Sequence, residues 1–110
     1  MAWPPSAADI LPQTVVDLYE VTIPLLVFTA EQDSLCAPKW VESVLAAVPN
    51  QGQVSFVTVP GAGHFSLQTP YPPELAHIPP AHDPPGFDRA GYQPAFYASV
   101  AEFLCRELAR

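Results

Sequence analysis

The chain has 110 residues, of which 4 are Lys or Arg and 11 are Asp or Glu, so its formal net charge is −7. That length fits one small domain or one piece of a larger one, and it falls short of the about 200 residues or more that a complete α/β enzyme usually needs. The acidic balance and the scattered basic residues exclude nucleic acid and anionic membrane surfaces as expected partners, because both need clustered Lys and Arg.

The composition predicts a globular protein with long connections. Hydrophobic residues make up 49% of the chain, and 15 residues are proline, which interrupts helices. No apolar run approaches the about 18 residues of a membrane span, and the first residues lack the pattern of a signal peptide. We therefore expect no membrane span and a cytoplasmic location, and the two cysteines fit reduced thiols.

The centre of the chain predicts a strand–helix–strand unit. Residues 23–29 form a continuous apolar run, typical of a strand buried on both faces, and residues 54–59 are β-branched and aromatic. Between them, residues 38–48 begin with Pro38 and carry apolar residues at steps of three and four, which predicts a helix. Such a unit is parallel in nearly all known cases, so the fold class is α/β.

The second half of the chain predicts a long loop and a closing helix. Residues 66–90 are rich in proline, and residues 93–109 carry an apolar stripe at helical spacing. This stripe, expected to be buried with Pro94 in the first turn, consists of Phe96, Val100, Phe103, Leu104 and Leu108. Two strands make a poor sheet, so we expect exposed apolar surface at a sheet edge. Instability, self-association through that edge or a missing N-terminal half would follow, with residues 1–20 a poorly defined extension.

Two polar residues follow the two predicted strands. Asp33 and His64 each come a few residues after the end of a strand. Because ligands gather at the carboxyl ends of parallel strands, we expect both side chains at one sheet edge. The carboxylate would then fix one imidazole nitrogen and leave the other as a general base. Taken singly, Asp33 also fits a turn or capping residue, and His64 an ordinary loop residue.

These segments resemble the α/β-hydrolases. Residues 23–33 resemble the segment that bears the family's acid, Gly61-Ala62-Gly63-His64-Phe65 resembles its histidine loop, and the last helix resembles its closing helix. The resemblance covers residues 21–108. Further residues, at 64–66, 69–70 and 83–90, are similar to predicted dienelactone hydrolases of the platelet-activating-factor-acetylhydrolase type. The resemblance implies hydrolysis of a small ester or lactone, with Asp33 as acid, His64 as base and no cofactor.

One departure from the family concerns the nucleophile. The five glycines nowhere form the Gly-x-Ser-x-Gly elbow or its cysteine form, and the oxyanion loop that precedes the acid is also missing. The chain therefore resembles the C-terminal part of a hydrolase, a partial domain over residues 21–110, and we expect it to be inactive alone.

Two other functions and several other sites remain open. The chain could be a non-catalytic interaction module that binds a partner by adding strands at its sheet edge. It could also be a thiol enzyme in which His64 activates Cys36, although a small buried residue at a helix start is the simpler interpretation of Cys36. Ser66 fits a loop-capping residue, and Cys105 fits packing. A metal site is not expected, because the candidates lack a ligand motif and the alignment of a helix; they are His64, His77, His82 and Asp83.

Overall fold

The computed structural model describes residues 17–109. Strand β1 spans Leu25–Ala30, helix α1 spans Pro38–Leu45, strand β2 spans Val54–Val59 and helix α2 spans Arg89–Leu108. The expectation of a separate extension over residues 1–20 falls mostly outside these described residues. Mixed helix and strand content agrees with the predicted α/β class.

The two strands form a parallel pair. Leu25 lies opposite Val54 and Ala30 lies opposite Val59, and α1 lies between the strands in the chain and contacts both. The predicted strand–helix–strand unit is therefore confirmed.

The ends of β1 and α1 differ slightly from the prediction. The first strand begins only after Pro24, which has no N–H for a ladder. Helix α1 ends at Leu45 rather than near residue 48, since the Gln51 side chain donates to the carbonyls of Leu45 and Val48 at 2.9 and 2.7 Å.

Each face of the sheet carries a different cover. On one face Ala30 and Val59 form a small core with Ala62, against which the side chains of Phe28, Leu67, Phe87 and Tyr92 pack. The ring of Phe28 meets Phe96 of α2 edge to face, with 4.8 Å between centroids. Residues alternate along a strand, so Phe56 points to the other face, where it lines a cleft with Leu45 of α1. Helices thus lie on both faces.

Burial of β1 is less complete than its sequence predicts. Only Thr29 and Ala30 of that strand are buried, and the rest is partly exposed. Within residues 17–109 each strand has a single neighbour, so one edge of each strand is unpaired. The expectation of burial on both faces is wrong for the described residues, because two strands do not provide a sheet around β1.

Helix α2 begins four residues before its predicted start at residue 93. The Asp88 side chain accepts the backbone N–H of Gly91 at 3.0 Å and caps the helix at that point. Pro94 therefore lies inside the helix rather than in its first turn, where it cannot donate to the carbonyl four residues earlier.

The predicted buried stripe of this helix is found only in part: Phe96, Val100 and Phe103 are half-buried, whereas the two leucines of the stripe are exposed. The buried residues of α2 are Arg89 and Gln93, while Leu108 is 81% exposed and Leu104 is exposed as well. The physical reason is the width of the sheet. The end of α2 reaches the start of the strands, where Phe103 lines a cleft with Pro24 and Ser55, but two strands form too narrow a sheet to cover Leu104 and Leu108 as well.

The long loop is ordered into turns. It contains two short 3-10 helices, at Pro73–Leu75 and Pro79–Ala81, and it returns to the sheet where Phe87 packs on the core. None of the helices within residues 17–109 has the length and apolar character needed to cross a membrane.

Candidate active site

Asp33 lies in the turn that follows β1. Its backbone N–H donates to the carbonyl of Ala30 at 3.2 Å, and its Oδ1 accepts the backbone N–H groups of Leu35 at 2.9 Å and Cys36 at 2.8 Å. Aspartate commonly organises a turn in this way. The turn role that the sequence left open for Asp33 is therefore real, and it holds the carboxylate in one orientation.

His64 lies in the turn that follows β2. Gly61, with φ of +74°, makes the sharp change of direction after the strand, a conformation that favours glycine. Two hydrogen bonds join this turn to the one after β1: Gly61 N donates to the Glu31 carboxylate at 3.0 Å, and Gln32 N donates to the Ala62 carbonyl at 2.8 Å. The two loops therefore meet at one sheet edge.

The two predicted residues are in direct contact. The Nδ1 atom of His64 lies 3.0 Å from Oδ2 and 3.1 Å from Oδ1 of Asp33, a hydrogen-bonding distance across 31 positions of sequence. The Asp33 side chain is 10% exposed and the His64 side chain 40% exposed. A carboxylate at this distance favours the tautomer with hydrogen on Nδ1, which leaves a lone pair on Nε2.

The outer nitrogen of His64 is open to a reacting group. Within residues 17–109 no hydrogen bond engages Nε2, and the ring is supported from one side by an edge-to-face contact with Phe65, at 4.8 Å between centroids. A cavity of about 130 Å³ adjoins the pair, with Phe28, Val41 and Leu67 among its apolar walls. The pair therefore faces a small, partly apolar space.

Cys36 also lines this cavity, but its chemistry does not suit a nucleophile. Partial burial and then the negative charge of Asp33 raise the pKa of the Cys36 thiol above its ordinary value. A raised pKa lowers the fraction of thiolate, which is the reactive form. Although its surroundings shield the thiol in part, Cys36 as a whole is exposed, so the prediction of a small buried residue at the helix start is wrong too.

Ser66 has the capping role that its sequence position predicts. Its side chain is fully buried, and its Oγ accepts the backbone N–H of Gly63 at 2.8 Å. The hydroxyl hydrogen is directed to Asp83, at 2.6 Å between the oxygens. Ser66 is therefore not available to attack a substrate.

The remaining candidates are dispersed along the long loop. His82 Nε2 lies 2.9 Å from the carbonyl of Ala76, and Asp83 is bonded to Ser66 and Arg89. The part of the chain between residues 17 and 109 contains no group of three or more His, Cys, Asp or Glu side chains arranged to hold a metal ion. Arg89 was not among the predicted site residues, although it lies in the segment 83–90 that resembles the dienelactone hydrolases and is a basic residue in an otherwise acidic and apolar stretch.

Comparisons with protein-family models, with curated proteins and with solved structures give no match for this chain. The geometry of the two strand-end loops therefore carries the functional interpretation. That geometry consists of an oriented carboxylate, an imidazole bonded to it, and an unengaged nitrogen beside a cavity.

Proposed function

We propose that this chain supplies the acid and the general base of a nucleophilic hydrolase that cleaves carboxylic esters or lactones. The observation that carries the proposal is the 3.0 Å contact between His64 Nδ1 and the Asp33 carboxylate at the carboxyl edge of two parallel strands. The resemblance of both loops to α/β-hydrolases of the dienelactone-hydrolase type supports it. We further propose that residues 21–110 are the C-terminal part of that fold.

The roles of the two residues follow from their protonation states. With hydrogen on Nδ1, His64 Nε2 can accept the proton of a hydroxyl or thiol nucleophile while that group attacks the substrate carbonyl. The imidazolium that forms is stabilised by the Asp33 carboxylate, and it then gives its proton to the departing alkoxide. These steps leave the acyl group bonded to the nucleophile. Water then gives a proton to the same nitrogen and attacks the acyl carbonyl, and the bond to the nucleophile breaks, which frees the carboxylic acid and returns the proton to the nucleophile.

We propose that the nucleophile comes from a polypeptide segment outside residues 17–109. Within that range Ser66 is buried and bonded to Asp83, and the pKa of the Cys36 thiol is raised. Backbone donors for an oxyanion hole would come from the same source. We therefore expect very little turnover from the chain alone, since an acid and a base without these groups retain little catalysis.

The test measures release of p-nitrophenolate from p-nitrophenyl acetate with and without an added small alcohol, such as trifluoroethanol, which acts as a substitute nucleophile and takes up the acetyl group. Without the alcohol, the chain is expected to match its His64→Ala variant. With the alcohol, we expect a severalfold rate increase that His64→Ala abolishes and that Asp33→Asn reduces, because the base then lacks its orienting charge.

A matched control separates this effect from ordinary imidazole catalysis. His77 is an exposed histidine of the long loop, so His77→Ala removes one imidazole without touching the pair. It should leave the alcohol-dependent rate unchanged. An alcohol-dependent rate that is equal in the unmodified chain, His64→Ala and His77→Ala would eliminate the general-base role. Turnover without alcohol that is lost only in His64→Ala would show that the chain is active alone.

An interaction module is the second candidate, and one observation favours it. Strand β1 is apolar at nearly every position, as central strands are, whereas β2 contains Ser55 and Thr58. The unpaired edge of β1 is therefore suited to an extended segment of another polypeptide. In this case a partner would slow hydrogen exchange of β1 amides equally well with the His64→Ala variant, and no hydrolysis would accompany the complex.

A further inference from the structure

The turn that carries His64 is held by buried polar side chains that the proposed reaction does not use. Gly63 N donates to Ser66 Oγ at 2.8 Å, and Ser66 N donates to the Gly63 carbonyl at 3.1 Å, so these two residues clamp His64 between them. Ser66 Oγ in turn donates to Asp83 Oδ1 at 2.6 Å. The turn after β2 is thereby bonded to the far end of the long loop.

Arg89 completes this connection at the start of α2. Its Nε lies 3.1 and 3.2 Å from the two Asp83 oxygens, and its Nη2 lies 2.8 Å from Oδ1 of the same carboxylate. The Arg89 side chain is only 4% exposed, and its Nη2 also donates to the Pro80 carbonyl at 2.9 Å. A guanidinium bonded in this way fixes both the position and the orientation of the carboxylate.

The charge state of Asp83 determines which group donates in the hydrogen bond between Ser66 and Asp83. Partial burial by itself would raise the pKa of the Asp83 carboxyl, but hydrogen bonds from Arg89 and Ser66 and the charge of Arg89 lower it below the ordinary value. An ionised carboxylate can only accept, so the single hydrogen of Ser66 points to Asp83. The lone pairs of Ser66 Oγ are then left for the N–H of Gly63.

We propose that Ser66, Asp83 and Arg89 are positioning residues that hold the His64 imidazole in its bond to Asp33. The importance of these three residues for catalysis rests on the proposed function, whereas their effect on the position of the imidazole ring does not. The His64 side chain is 40% exposed and has one strong anchor, so its place depends on the backbone turn beneath it. A displacement of less than 1 Å would take the 3.0 Å contact out of hydrogen-bonding range.

Packing also joins the turn of His64 to the far end of the long loop. A Cβ atom added at Gly63 would lie 2.9 Å from Cδ of Pro84, so the turn and the far end of the loop touch directly. The residue next to Pro84 is Asp83, and Arg89 begins α2. The turn therefore cannot move toward Pro84 unless this part of the loop moves with it.

The test reads the tautomer of His64 in the full chain without substrate, from long-range proton–nitrogen NMR spectra. The unmodified chain should show hydrogen on Nδ1 and none on Nε2, and Asp33→Asn defines the complete loss of that pattern. Ser66→Ala should shift the two ring nitrogens most of the way toward the Asp33→Asn pattern. Asp83→Asn, which keeps the shape but removes the charge, should give a smaller shift in the same direction.

Asp88→Ala is the matched control. It also removes a side-chain acceptor from a backbone N–H, that of Gly91 at the start of α2, and among residues 17–109 no hydrogen bond joins the Asp88 side chain to the turn of His64. The control should leave the His64 nitrogens unchanged. Equal shifts in Ser66→Ala and Asp88→Ala would reduce the role to general stability, and unchanged nitrogens in Ser66→Ala would overturn the proposal.

Two further outcomes can be interpreted: loss of folding in Ser66→Ala, and a tautomer shift that is not accompanied by hydrolysis. Should Ser66→Ala lose the dispersed amide spectrum of a folded chain, Asp83→Asn decides: a shift of the His64 nitrogens supports positioning and an unchanged pattern overturns it. The tautomer is measured without hydrolysis, so a shift in Ser66→Ala together with no His64-dependent hydrolysis would reject the proposed function alone.

Discussion

The two ends of helix α2 invert the usual distribution of polar and apolar side chains. At its start Arg89 and Gln93 are buried, with Arg89 only 5% exposed, while near its end the apolar Leu104 and Leu108 face outward. Burial of polar groups is stable only where hydrogen bonds replace water. The first turns of α2 therefore have their partners within the chain, whereas two apolar side chains of its last turns are exposed among residues 17–109.

The partners of the first turns all come from the segment around the candidate site. Asp83 and the Pro80 carbonyl accept from Arg89, and Gln93 Nε2 donates to the Gln68 carbonyl at 3.2 Å. Nη1 of Arg89 and Oε1 of Gln93 lack hydrogen-bond partners among residues 17–109, and the Tyr71 ring lies 5.9 Å from the guanidinium carbon. The segment from the end of β2 to the start of α2 is thus largely held by its own contacts.

The largest expected effect comes from removing Arg89. Arg89→Ala leaves the Asp83 carboxylate without its ion pair in a mostly buried place, and breaking such a pair costs about 3–5 kcal/mol. We expect the free energy of unfolding in urea to fall by that amount, or cooperative unfolding to disappear. A loss below about 1 kcal/mol, the range of exposed pairs, would show that the ion pair does not hold the start of α2 in place.

Low pH should lower the stability that Asp83 contributes at the start of α2. The pKa of Asp83 is lowered in the folded chain, so its contribution is present above the unfolded pKa of about 3.9 and is lost as pH falls through the lower folded value. Asp83→Asn should lack this part of the pH dependence. The difference in unfolding free energy between the two proteins should be about 1–3 kcal/mol at pH 5 and shrink toward pH 2. A difference that stays constant over that interval would show that the charge of Asp83 contributes nothing.

The placement of Asp33 and His64 could be predicted because it depends on topology alone. Each follows a strand with a clear apolar or β-branched pattern, and the strand–helix–strand order makes those strands parallel. Parallel strands bring their carboxyl ends to one edge whatever the rest of the chain does. The sequence therefore predicts the meeting of the two loops, although the catalytic use of the pair stays a prediction.

The roles of Arg89 and of the outer face of α2 could not be predicted in this way. Arg89 meets Asp83 only because the loop turns back through two short 3-10 helices, and proline content does not specify that path. The apolar spacing around Leu104 predicts a helix face, but burial of that face depends on how many strands lie beneath it. Periodicity indicates which residues share a face and does not show what covers them.

The smallest expected effect tests the outer end of α2. Leu108→Ala removes a side chain that is 81% exposed, so the free energy of unfolding should change by no more than about 0.5 kcal/mol. Val59→Ala is the matched control, since it shortens an aliphatic side chain that is buried in the core and should cost about 1.6 kcal/mol at about 0.8 kcal/mol for each carbon removed. Urea unfolding of both variants at two protein concentrations checks this.

A cost for Leu108→Ala that equals the control and grows with concentration would mean that the end of α2 is covered by a second copy of the chain. A cost that equals the control without such dependence would mean that another part of the same chain covers it, and in either case the contrast between the two ends of the helix would be lost.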